Sequence, residues 1–406
     1  FYCSHGGDCV EFDQYLQIGN GASADIFDAA LQNDAAYILK YKNQGNDLFI
    51  TDQRQQTLLH LATRNKSLDA LSLLLKIGLN PNNGDRFGDT PLHIASFMGD
   101  ADSIKLLLAF NANPNTLNNK LQTPLHQASF KGSVRAIKVL LKNGANIYIE
   151  DEAKTSVMQY AVRSKKIKAV KYLVEQGAII NSLDIQKKSV MHYAALYSRV
   201  DIVKYLMEQG VNPYGKTSYD LTPLHLAIEH PEIDMVNTFL ASGLTSYDKT
   251  KFGLSPYDEA LQKNKFEAVE LFNKLKNDKE YQSKVKRNAL SFAIVRNDFD
   301  QADSLIPRSN VNLRDIFDNT ALFYAIMNEE PYLVESLIKY DASIYSIDRM
   351  GLDAIYYAVL IGNKDIVKTI MKKQVNINKK YLGYTVVEYS EFTNNPSLLE
   401  TLKKGA

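Results

Sequence analysis

The sequence predicts an all-α solenoid, a stack of about 11–12 helix-turn-helix units carrying short hairpin or loop fingers. Three observations lead there. Helix-capping residues recur at a fixed distance: Thr57, Thr90, Thr123, Ser156, Ser189, Thr222, Ser255 and Asn288 are each 33 residues apart, and Thr320, Asp353 and Thr385 follow at steps of 32, 33 and 32. Many of them open the same phrase: Thr57-Leu58-Leu59-His60, Thr90-Pro91-Leu92-His93, Thr123-Pro124-Leu125-His126, Ser189-Val190-Met191-His192 and Thr222-Pro223-Leu224-His225. The apolar runs are short, such as residues 71–75, so no segment predicts a membrane span.

Within residues 90–122 each element has a local cause. Thr90 supplies an N-cap hydroxyl and Pro91 occupies the first helical position. Leu92 and Ala95 face inward, and Gly99 ends the helix. A second helix places Ile104, Leu107 and Leu108 at spacings of three and four, until Asn111-Ala112-Asn113-Pro114-Asn115 breaks it. Extending the phase backward makes residues 24–56 a degenerate first unit behind an N-terminal segment, 1–23. At the far end 385–406 forms half a unit. The register falters at 274–287, which is charged and lacks the glycine turn. It predicts an extended helix or irregular joint between a stack at 24–273 and a second at 288–406.

These units resemble the ankyrin repeat, whose pattern is Thr-Pro-Leu-His-x-Ala, a glycine, an outer Val-x-x-Leu-Leu, then Gly-Ala-x-x-Asn. The resemblance covers roughly residues 24–406 and is strongest at 90–122, 123–155 and 189–221. It implies that His60, His93, His126, His192 and His225 are structural, each hydrogen-bonding one unit to the next. Copies a whole repeat apart cannot share a metal at ligand distances of ~2 Å.

Length alone, at 406 residues, would suggest two or three globular domains, but a solenoid grows lengthwise. Apolar content of 45% and charged content of 23% are those of a folded chain, and the net charge is +1. Both cysteines, Cys3 and Cys9, lie at the head of an otherwise thiol-free sequence. They are a disulfide candidate rather than a zinc site, and they favour export to a periplasmic or secreted setting over the cytoplasm. The start at Phe1-Tyr2 predicts a processed or trimmed chain and leaves room for a lipidated cysteine upstream. No phosphate loop, His-Glu-x-x-His or Gly-x-Ser-x-Gly occurs, so the sequence predicts no enzyme, cofactor or metal.

The resemblance also implies a cupped hand, with loop tips as fingers and first helices as the palm. Counting phase from the cap gives partner-binding candidates Arg86, Phe87, Phe97, Met98, Lys120, Phe130, Lys131, Arg163, Tyr197, Tyr219 and Phe252. Leu196, Phe317, Met350, Tyr381 and Tyr384 fall at the same phases. Aromatics and methionine at exposed positions point to a protein partner. Charge is uneven along the chain: eight acids and three bases in 1–56, fourteen bases and six acids in 131–204, nine acids and three bases in 298–341. Phase sends Arg135, Lys138, Lys142, Lys168 and Lys171 to the back. Acidic ends and the lack of a basic stripe along the groove argue against nucleic acid.

The expected function is therefore a non-enzymatic scaffold gripping a protein. The resemblance, with the cysteine pair, favours an exported bacterial immunity-type protein that neutralises a secreted antibacterial toxin such as a phospholipase effector. A secreted effector capturing a host protein is the alternative. Enzymatic activity is left only to the N-terminal segment or to a domain outside this sequence.

Overall fold

The computed structural model describes residues 23–279, 289–295, 297–315, 318–381, 383–392 and 395–404. Inner helices Leu58–Arg64, Pro91–Met98, Pro124–Lys131, Val157–Arg163, Val190–Tyr197, Pro223–Ala227 and Pro256–Gln262 alternate with outer helices. The outer set is Leu68–Ile77, Ala101–Ala109, Val134–Lys142, Ile167–Glu175, Val200–Glu208, Ile233–Ala241 and Phe266–Lys276. Ser23–Leu31 and Ala35–Asn43 precede them, and further pairs run from Ala289–Val295 to Pro396–Lys404. Each inner helix packs on its own outer helix and, within 23–262 and again within 289–392, on the next inner helix, and the buried side chains form one elongated core. Cys3 and Cys9 and most of the expected joint at 274–287 lie outside the described residues.

The fingers are hairpins built on a polar side chain five residues before the cap, an aspartate in several units and Asn118, Thr217 or Thr250 in others. Asp151 Oδ1 accepts the amides of Ala153 and Thr155 at 2.9 and 2.8 Å, and Asp184 Oδ1 those of Gln186 and Lys188 at 2.8 Å. Successive fingers are bonded: Asn119 N–H to the Phe87 carbonyl at 2.9 Å, Glu152 to Lys120 at 3.0 Å, Ile185 to Ala153 at 3.0 Å. Gly88 shows how tight this ladder is. Its φ is +76°, and a Cβ there would lie 2.8 Å from the Asn119 amide nitrogen. Gly88→Ala is expected to cost about 2 kcal/mol or more in urea denaturation, against about 1 kcal/mol for Gly45→Ala, where φ is +82° and the space is open.

The stack is not a simple arc. Units after residue 288 run back alongside earlier ones in antiparallel order. Tyr148 packs against Tyr384, Tyr389 and Phe392 at 5.1–5.6 Å between ring centroids. Asn181 Nδ2 donates to the Tyr357 hydroxyl at 2.9 Å, across 176 residues of chain. Tyr214 meets Phe292 and Tyr324 edge-on at 5.2 and 5.9 Å. Lys187 pairs with Glu329 at 3.3 Å near the edge of this contact.

Sequence position explains which residues do this. The residue 25 after the cap is Asn82 or Asn115 in early units, and its Oδ1 accepts the amide of Asn113 or Asn146 in the next unit at 2.7 Å. Tyr148 and Tyr214 occupy that phase later, and Asn181 turns its amide to Tyr357. Facing them are palm residues four after the cap: Tyr324, Tyr357 and Tyr389, all at most 2% exposed. The later palms are thus filled by the protein's own earlier loops. Tyr381 and Tyr384, expected as open finger positions, are internal instead: Tyr381 is buried with its hydroxyl on Asp353 at 2.7 Å, and Tyr384 lies against Tyr148. Met350 is half-buried, and Phe317 lies outside the described residues.

Candidate partner-binding face

The scaffold beneath the face is set by the five phased histidines. Thr123 donates its amide to His126 Nδ1 at 3.1 Å, and the opposite nitrogen, Nε2, reaches the Thr155 carbonyl at 3.3 Å. An amide facing Nδ1 and a carbonyl facing Nε2 fix the neutral Nε2–H tautomer. His60, His93, His192 and His225 repeat the arrangement, with Nε2 on the carbonyls of Asp89, Gln122, Leu221 and Leu254 at 2.9–3.4 Å. Burial lowers the pKa of all five, that of His126, His192 and His225 to about 4. In the unit capped by Ser156, Gln159 takes both bonds: its Oε1 accepts the Ser156 amide at 2.6 Å, and its Nε2 donates to the Lys188 carbonyl at 3.0 Å. After residue 288 this position holds Ser291, Phe323 and Tyr356, and then Glu388, whose Oε2 accepts the Thr385 amide at 2.6 Å.

Above this scaffold the palm carries a row of rings. Phe97 and Phe130 stack at 6.2 Å with an interplanar angle of 11°. Phe130 then meets Tyr160 edge-on at 6.4 Å. The Arg163 guanidinium lies within 5.2–5.6 Å of three ring centroids, those of Phe130, Tyr160 and Tyr197. Tyr197 in turn contacts Tyr193 at 6.2 Å. Phe97, Met98, Phe130 and Arg163 are half-buried, whereas Lys131 and Tyr197 are exposed.

The finger candidates divide into two groups. Arg86 covers its neighbour Phe87 at 4.6 Å, beside half-buried Lys120. Tyr219 and Phe252, 49% and 74% exposed, stack on one another at 6.0 Å on adjacent fingers farther along. Phase counting therefore brings Phe97, Phe130, Arg163 and Tyr197 together and leaves Tyr219 and Phe252 as a separate tip pair.

Tyr160 and Tyr193 escaped the sequence reading. They occupy the variable position four after the cap, and their hydroxyls donate to Asp151 and Asp184 at 2.7 and 2.8 Å. Burial first, and then these carboxylates, push both phenols well above their usual range, so they stay neutral spacers beneath Arg163. The sequence signal was the Asp-x8-Tyr spacing, which joins a finger to its own palm.

The groove is also basic. Finger positions four to one before the cap, with palm positions four, seven and eight after it, can be read through the unit capped by Ser189. They hold Arg54, Arg64, Arg86, Lys120, Lys131, Lys154, Arg163, Lys187 and Lys188 against only Asp89 and Glu152. The expectation of no basic stripe came from linear charge counts, whereas these bases come from separate units at shared phases, with Lys187 paired to Glu329. The stripe ends where Glu229 and Glu259 pair with Lys263. Among the described residues no group of His, Cys, Asp and Glu could hold a metal ion, and no helix is long and apolar enough to cross a membrane.

A sequence model of ankyrin repeats (three copies) matches residues 26–118, 80–151, 96–184, 125–217, 180–251 and 290–381, well over half the chain. The chain belongs to the ankyrin repeat family. It is 28% identical over 113 residues to a putative ankyrin repeat protein of fowlpox virus, FPV244, covering 28% of this chain and 16% of that protein. It is 29% identical over 135 residues to another, L371 of Acanthamoeba polyphaga mimivirus, covering 33% of this chain and 15% of that one. These matches span only about a sixth of either viral protein. Among solved structures it resembles the human ASB11 ankyrin repeat domain, with 25% identity and a TM-score of 0.49 over 53% of this chain and 96% of that domain. Ankyrin repeats serve as protein–protein interaction scaffolds, and the fold is typically non-enzymatic.

Proposed function

We propose that this ankyrin protein grips a partner protein in the concave face of its earlier units, on the row Phe97, Phe130, Arg163 and Tyr197. The observation that carries this is the contrast between the two halves of the solenoid. Later palms are filled by Tyr148, Asn181 and Tyr214 of the same chain, while the earlier palm presents rings and bases with no counterpart stack laid across them among the described residues. Aromatic and arginine side chains at a concave centre are the groups that dominate interface energies.

Within this role, the finer reading is an immunity-type protein that neutralises a secreted toxin such as a phospholipase effector. The thiol-free body behind Cys3 and Cys9 supports that exported setting, and capture of a host protein is the competing use. The test is capture from the native source, with wild-type protein and with Phe97→Ala/Phe130→Ala as paired baits. Wild type is expected to retain a partner that the double variant loses, and the recovered protein separates toxin from host factor. Equal retention by both baits would remove the palm from the account.

A further inference from the structure

We infer that the partner presents an acidic segment to this groove, with carboxylates meeting Lys120, Lys131, Lys154 and Arg163 while apolar side chains lie along Phe130 and Tyr197. This rests on the concave-face reading above and adds the partner's chemistry to it. The first support is charge. Lys120, Lys131, Lys154 and Arg163 form no ion pair among the described residues, although salt bridges are formed elsewhere, including Lys105 to Asp102 at 3.1 Å and Lys379 to Asp353 at 2.7 Å. Of the acids nearby in sequence, Glu150 faces Lys154 electrostatically, Glu152 is a finger residue, and Asp151 and Asp184 form no ion pair with the row. Both aspartates are 8% exposed, with Oδ1 accepting finger amides and Oδ2 accepting a tyrosine hydroxyl. Bases still outnumber acids at these finger and palm phases, on a protein whose net charge is only +1.

The second support is geometry. Arg163 lies against Phe130, Tyr160 and Tyr197, which confines its guanidinium between rings that do not take up its N–H donors. A planar, pre-positioned guanidinium suits bidentate pairing with a carboxylate. The same packing argues against single-stranded nucleic acid, which needs open ring faces for its bases. Phe130 has Phe97 stacked on it and Arg163 over its ring.

The experiment uses fluorescence anisotropy with three labelled probes: a glutamate–tyrosine copolymer, a glutamine–tyrosine copolymer of equal length, and oligo-dT. The full chain is compared as wild type, Lys120→Glu/Lys131→Glu, Arg163→Gln and a back-face control, Lys142→Glu/Lys168→Glu. Wild type should bind the glutamate probe at least tenfold tighter than the glutamine probe, with affinity falling as salt rises. Either groove variant should weaken it about tenfold or more, and the back-face control less than about twofold. Equal binding of the two copolymers, equal loss in the groove and back-face variants, or tighter binding of oligo-dT would overturn the inference. In the capture assay, loss of the partner from Phe97→Ala/Phe130→Ala but not from Lys120→Glu/Lys131→Glu would leave the palm standing and remove only its acidic partner. Retention by both would remove the palm itself.

Discussion

Lowering the pH from neutrality toward 4 is expected to unfold the histidine-bearing units ahead of the rest of the chain. His126, His192 and His225 bind a proton with a pKa of about 4 when folded, against 6.5 for the unfolded side chain. The unfolded state therefore takes up protons first. The stability that these groups contribute is fully present above pH 6.5 and is lost as pH falls through the window down to about 4. Each shift corresponds to about 3 kcal/mol across that window. The first cause is burial, which disfavours the charged ring, and protonating Nδ1 would also set an N–H against the cap amide, as at Thr222 and His225. Gln159 supplies the control, since it makes the same two bonds and does not titrate. His126→Gln/His192→Gln should keep neutral-pH stability within about 2 kcal/mol while flattening the acid limb of the urea midpoint against pH. An unchanged acid limb in that variant would show that another group drives the transition.

Opening the antiparallel contact between early and late units should have the next largest effect. Tyr357 is 1% exposed, accepts from Asn181 and donates to Asp348. Tyr357→Phe leaves a buried amide and a buried carboxylate each short of a partner, at a cost of about 1–3 kcal/mol. Tyr357→Ala adds a cavity and raises the cost to about 3–5 kcal/mol. Tyr148→Ala/Tyr214→Ala removes ring contacts at two separate points along the seam, and small-angle scattering should then report a larger radius of gyration. A radius of gyration equal to that of wild type, together with an unchanged urea midpoint, would mean that the late palms do not depend on these rings.

Much of the architecture was legible because it repeats. Caps at Thr90 and Thr123, proline at the first helical position and glycine at Gly99 and Gly132 are local causes with local effects. Phase alone also brought Phe97, Phe130, Arg163 and Tyr197 onto one surface. The doubling-back was not legible in the same way, because Asn181 and Tyr357 meet across 176 residues and no periodic rule links them. Its trace is a substitution within the period: Tyr148 and Tyr214 stand where Asn82 and Asn115 lock neighbouring units. The basic groove was hidden for a related reason. Lys120, Lys131, Lys154 and Arg163 belong to different units and are diluted in any linear count by outer-helix bases such as Lys142 and Lys168. Tyr160 and Tyr193 were passed over because the family pattern leaves their position open.

The central claim is that the ring-and-arginine row on the earlier palm holds the partner. Calorimetric titration of the captured partner into wild type and Phe97→Ala/Phe130→Ala tests it most directly, with the melting temperature of each protein measured alongside. Both rings are half-buried on the concave face, so the variant should retain a melting temperature close to wild type while losing about 100-fold or more in affinity. Wild-type affinity in the double variant would contradict the claim.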